Sequence, residues 1–133
     1  MQDKHLFEYA VIRVVPLVER EEFINVGVIL YSKKAHFLQC KHHLDKDRLA
    51  GFSSAIDLEE VEEHLGAFER ICNGSANSGP IGKLDLASRF RWLTATRSTI
   101  VQTSKVHSGF CDDLEKSLEK IHTQLVLKPI INK

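Results

Sequence analysis

The sequence carries no excess of either charge. Eighteen Lys and Arg stand against eighteen Asp and Glu, so bulk attraction to nucleic acid or an anionic membrane is absent and a nucleic-acid coat protein is excluded. No apolar run approaches the ~20 residues that a bilayer-spanning helix needs. Cysteine is scarce: Cys40, Cys72 and Cys111 are odd in number and lack Cys-x-x-Cys spacing. No secretory signal precedes the first apolar run, so reduced thiols in a cytoplasmic protein are expected. Also missing are a phosphate-binding loop, a dinucleotide fingerprint, a calcium loop and a Gly-x-Ser-x-Gly elbow, which removes nucleotide hydrolysis by a standard motif. No cofactor is expected, and neither repeats nor a linker divide the chain.

What is present describes a single domain over 1–133. A 43% hydrophobic fraction with 27% charged residues is ordinary for a globular chain that folds around one core. The first part, 7–43, is rich in strand formers. Phe7 to Val15 is dense in β-branched and aromatic residues and stops at Pro16, Ile24 to Tyr31 repeats that composition, and Ala35 to His42 follows the polar turn Ser32-Lys33-Lys34. No connection between them is long enough for a parallel crossover, so they pair antiparallel.

The period then changes. Leu58, Val61, Leu65, Phe68 and Ile71 recur at steps of three and four, with Asp57 and Glu60 as a capping box and Asn73-Gly74 as a stop, which predicts a helix over 57–72. After the turn-forming stretch up to Pro80, the sequence predicts a short helix over 86–94 and a strand with a polar loop over 97–109. A final helix over 112–127 begins near Asp112 or Asp113 and carries Leu114, Leu118, Ile121 and Leu125 on one side. The expected fold is α+β, an antiparallel sheet of about four strands with helices packed on one face.

Several polar residues stand out against this frame. Arg13 shares a strand face with Phe7, Tyr9, Val11 and Val15, so its guanidinium must reach an edge or meet an anion, with Glu19 or Glu22 as the nearest internal partners. Asn25 and Gly27 fall on one face of the next strand by the two-residue period, and a strand glycine admits a bulge or a close backbone approach. The densest polar stretch runs from Arg97 to Gly109. Its Arg97, Ser98, Gln102, Ser104 and His107 offer a guanidinium fork, hydroxyls, an amide and an imidazole suited to an anion such as phosphate.

Charge is also polarised along the chain. Five bases stand against Asp85 between Pro80 and His107, whereas Asp57 to Arg70 holds six acids and one base. A catalytic alternative takes His107 as acid or base, Ser98 or Ser104 as nucleophile and Arg97 as charge stabiliser, in a small hydrolase or phosphodiester-processing enzyme. No carboxylate in the stretch orients the imidazole. Cys40, His42 and His43 with Asp45 and Asp47 form at most half of a zinc site, so no metal is expected. Phe90 and Trp92 flank Arg91, but their spacing fits core insertion better than base stacking, and nucleic-acid binding is disfavoured.

These residues resemble a bacterial family, domain of unknown function 3037. The resemblance rests on Tyr9, Arg13 and Pro16; on Phe23-Ile24-Asn25-Val26-Gly27-Val28; and on Arg89-Phe90-Arg91-Trp92-Leu93 followed by Arg97-Ser98, Gln102, Ser104, His107 and Gly109. It extends from about Tyr9 to about Leu125. The family brings no established reaction, cofactor or catalytic residue. The resemblance implies a protein partner, with a HipA-like kinase as the first expectation. The reading from the residues is a non-enzymatic binding module in which Arg13, Asn25, Arg97, Ser98, Gln102, Ser104 and His107 receive a partner segment or a small anion.

Overall fold

The computed structural model describes residues 4–127. Three strands open the chain: β1 (His5–Val14), β2 (Ile24–Ser32) and β3 (Phe37–His42). Two helices follow, α1 (Lys46–Phe52) and α2 (Leu58–Asn73), then α3 (Leu86–Leu93), β4 (Val101–Thr103), β5 (His107–Cys111) and α4 (Leu114–Leu125). All four described helices open on an aspartate. Asp45, Asp57, Asp85 and Asp113 each accept a backbone N–H of the first turn, which satisfies donors that a helix start leaves free. Of these helices α1 has no counterpart in the sequence reading. It contributes one buried residue, Leu49, too little to mark an apolar stripe.

The sheet is antiparallel with the order β3-β2-β1, and β1 carries both β4 and β5 on its other side. β4 pairs with Ile12 to Val14 and β5 with His5 to Tyr9, so the two short strands form one interrupted edge along a single long one. Ser104 spans the break. Its hydroxyl accepts the N–H of Val11 at 2.8 Å and donates to the carbonyl of Lys105 at 2.9 Å, while its own N–H donates to the carbonyl of Val11.

The α+β antiparallel architecture is the one the sequence predicts, with five strands where about four were expected. The extra strand, β5, reads His-Ser-Gly-Phe-Cys and has little strand character of its own; β1 outruns β4 and leaves backbone groups that a further strand satisfies. The helices also divide between the two faces. Ala10, Ile12, Val14, Ile29 and Tyr31 form the main core with α1, α2 and α3, burying Leu49, Val61, Leu65, Phe68, Phe90 and Leu93. Phe7, Val28 and Leu30 point to the other face and pack with Leu114, Leu118 and Val126 from α4 and its end. The expectation of helices on one face therefore holds for α1 to α3, and α4 covers the other. A strand run as apolar as Val26 to Tyr31 needs cover on both sides.

A register shift in the β1–β2 pairing corrects a second expectation. Ile12 stands opposite Gly27, but Arg13 stands opposite Asn25, so Val26 is an extra residue on β2. Asn25 and Gly27 consequently lie on opposite faces. Gly27 sits against β3, where a Cβ would come within 2.7 Å of the Lys41 carbonyl oxygen, which accounts for the glycine by close backbone approach. None of the described helices is long and apolar enough to cross a membrane.

Candidate functional site

The bulge brings Asn25, Arg13 and Gln102 into one row across β2, β1 and β4. They share the face that α4 covers only in part. Arg13 does not pair with Glu19 or Glu22: Glu22 is taken by Arg20, and the Arg13 guanidinium lies 3.8 Å from the centroid of the Phe23 ring. Phe23, at 44% exposure, acts as an open aromatic plate beneath a cation. Burial pushes Arg13 below the ordinary arginine value, and its Nε is buried without a hydrogen-bond partner among the described residues.

The neighbouring amides are partly committed. Asn25 donates through Nδ2 to the carbonyl of Leu125 at 3.0 Å, tying the end of α4 to the sheet, and its Oδ1 is buried without a partner among the described residues. Gln102 donates through Nε2 to the carbonyl of Thr99 at 2.9 Å, which leaves its oxygen free of that bond. The row thus offers a partly buried guanidinium stacked on one side, a group able to bind a carboxylate or phosphate through paired N–H donors.

His107 lies on the same face, opposite Tyr9, with ring centroids 5.3 Å apart. Tyr9 is four residues from Arg13, roughly 13 Å along a strand, so His107 flanks the row rather than joining it. Ser104 is held by its two hydrogen bonds at the strand break and has no free proton to give up as a nucleophile. Ser98 is exposed on the loop before β4.

Arg97 is placed elsewhere. Its guanidinium donates to the carbonyls of Leu93 and Trp92 at the end of α3, and its Cζ lies 4.1 Å from the Trp92 ring centroid. With His64, Phe68 and Val101 it lines a cavity of about 220 Å³ on the main-core face, across the sheet from His107. Burial lowers its pKa as well. The structure therefore brings Arg13, Asn25 and Gln102 together, sets His107 beside them, and separates Arg97 from all four.

The sequence pattern of a family described as "Protein of unknown function (DUF3037)" matches residues 9–126. The chain belongs to the DUF3037 family. No curated protein and no solved structure is detectably similar to it. The matched region of this DUF3037 chain starts at Tyr9 and ends one residue past α4, so it takes in the whole Arg13 row, both flanking aromatics and the helix that borders them.

The DUF3037 arginines outside that row have internal partners. Arg89 is buried and donates through Nη1 to the carbonyls of Ile71 and Cys72, at 3.2 and 3.1 Å, at the end of α2. Arg91 makes a two-pronged pair with Glu8, both contacts 2.9 Å. With Arg97 bound to the end of α3, three of the five bases in the stretch between Pro80 and His107 have hydrogen-bond partners within the fold. Cys40 and His42 share a face, as their spacing predicts, but turn to separate neighbours on α2, Cys72 and Glu69. Phe23 is the contributor that the sequence reading left outside its site residues. Nothing in a single sequence distinguishes an aromatic under a guanidinium from one in the core.

Proposed function

We propose that this DUF3037 domain is a non-enzymatic binding module that receives an anionic group of a partner protein at Arg13, with Gln102 and Asn25 beside it and Tyr9 and His107 as an aromatic flank. The observation that carries the reading is the state of Arg13: half-buried, stacked on Phe23 and without a carboxylate partner among the described residues. A desolvated, unpaired cation costs stability in the free protein, and an incoming carboxylate or phosphate removes that cost. The row is laid out on a sheet face, which suits a docked segment. A small free anion would use the same donors.

The hydrolase reading draws no support from this geometry, because it asks Arg97 and His107 to act on one substrate and the sheet stands between them. A HipA-like kinase is the first partner to test, in the cytoplasm, on the strength of the resemblance alone.

The test compares proteins captured from the native host, and binding of a purified HipA-like kinase from that host, using wild type, Arg13→Gln and Arg97→Ala. One defined partner should be lost with Arg13→Gln while the circular dichroism spectrum is unchanged, and kept with Arg97→Ala. Identical partners for wild type and Arg13→Gln would refute the reading.

A further inference from the structure

The main-core face of the sheet is roofed by α2 and α3 over Ala10, Ile12 and Val14. The roof ends with the Arg91–Glu8 pair. Beyond it, on the same face, Leu6 and its cross-strand partner Phe110 stand open, at 54% and 69% exposure. With Ala87 of α3 as one wall they form the floor of a cavity of about 520 Å³. Its rim carries Lys4 ahead of β1 and Lys33 and Lys34 on the β2–β3 turn. None of these three lysines makes an ion pair among the described residues, and the one acid at the rim, Glu8, is engaged by Arg91.

We propose that this groove docks a short acidic amphipathic helix of a partner protein, its apolar stripe on Leu6 and Phe110 and its carboxylates toward Lys4, Lys33 and Lys34. A bare sheet face beside an eight-residue helix is completed by a second helix laid alongside, which is how α+β layers bury such a face. Number of charges decides the chemistry. A single carboxylate engages one lysine, whereas three ammonium groups from two separate segments around one apolar floor match a ligand with several acids flanking an apolar stripe. The groove lies on the opposite face from Arg13 and is independent of the function proposed there.

The probe is a fluorescein-labelled helix-forming peptide of about 18 residues, with Leu at i, i+3, i+4 and i+7 positions and Glu elsewhere. Its twin has every Glu replaced by Lys. Titration by fluorescence anisotropy should give saturable binding of the acidic peptide and none of the basic one. The double variant Lys33→Glu/Lys34→Glu, and separately Phe110→Ser, should each raise Kd at least about tenfold with unchanged melting temperature. Arg13→Gln should bind as wild type does. Absence of saturable binding to the acidic peptide, equal binding of the basic peptide, or a Kd indifferent to both groove variants would overturn the proposal. So would a loss of peptide binding in Arg13→Gln, which would place the peptide on the other face. Sedimentation showing a dimer that Phe110→Ser dissociates would also overturn it, since a second copy would then fill the groove.

Discussion

Arg97, between α3 and β4, and His107, on β5, lie on opposite sides of the sheet. His107 lies against Tyr9 on the α4 side, while Arg97 closes the end of α3 over Trp92 on the main-core side. Two groups separated by a sheet do not share a reacting atom, and their energetic contributions should be independent. Arg97→Ala is expected to cost roughly 1 kcal/mol through the lost carbonyl contacts and indole stacking, and His107→Ala less than that. Urea denaturation of both single variants and the double should show additivity within about 0.5 kcal/mol. A larger coupling would mean the two side chains meet.

Arg89 should be the most costly arginine to replace. It is 8% exposed and its guanidinium donates to the carbonyls of Ile71 and Cys72 near the end of α2; Ile71 is also served by the Gly74 N–H, so Arg89→Met leaves chiefly the desolvated Cys72 carbonyl without its donor. The expected loss is about 2–3 kcal/mol by urea denaturation, and Arg89→Lys should restore part of it, because one nitrogen, Nη1, makes both carbonyl contacts and an ammonium carries enough donors for two. Gly74 is bound to the same arrangement. It has φ +65°, and a Cβ there would lie 2.4 Å from the Arg89 guanidinium nitrogen, so Gly74→Ala should also destabilise. A loss below about 0.5 kcal/mol for Arg89→Met would contradict its role at the helix end.

His122 supplies a pH dependence with a definite sign. Its ring is 2% exposed and neither nitrogen has a hydrogen-bond partner among the described residues. Burial first, and then the charges of Lys41, His43 and His42, lower its pKa from 6.5 to about 4. The folded state therefore holds the proton less well than the unfolded chain. Stability from this group is complete above pH 6.5 and is lost as pH falls from there toward 4, by up to about 1.4 kcal/mol per pH unit. Urea midpoints measured at pH 7 and pH 5 should differ by more in wild type than in His122→Leu. Equal differences would remove His122 from the acid sensitivity.

The three thiols should be distinguishable by reactivity. Hydrogen bonding with Cys72 and burial push the Cys40 thiol upward, away from the reactive thiolate, and Cys72 is itself 1% exposed. Cys111 is half-buried on the edge strand β5. Brief alkylation of the native protein with iodoacetamide, followed by mass spectrometry, should label Cys111 before either core cysteine. Prior labelling of Cys40 would indicate that the α2–β3 contact opens readily.

Local chemistry was readable from the chain alone. The stripe from Leu58 to Ile71 with Asp57 before it and Gly74 after it specifies α2 almost residue by residue, since periodicity and caps are properties of neighbours in sequence. Asp113 and the Leu114–Leu118 spacing do the same for α4, and the β-branched runs for β1 to β3. The α+β class follows from these elements and their order. Tertiary structure alone decided the rest, because the deciding partners are distant along the chain. Residue 107 became a strand because β1 had unpaired backbone at Tyr9; α4 took the far face because Val28 and Leu30 needed burial there; and one extra residue at Val26 turned Asn25 toward Arg13 instead of toward Gly27. Arg13 and Arg97 are the same side chain in the sequence. Both stack on an aromatic ring, Arg13 on Phe23 and Arg97 on Trp92; that Arg97 also closes a helix was set by the carbonyls that folding brought to it.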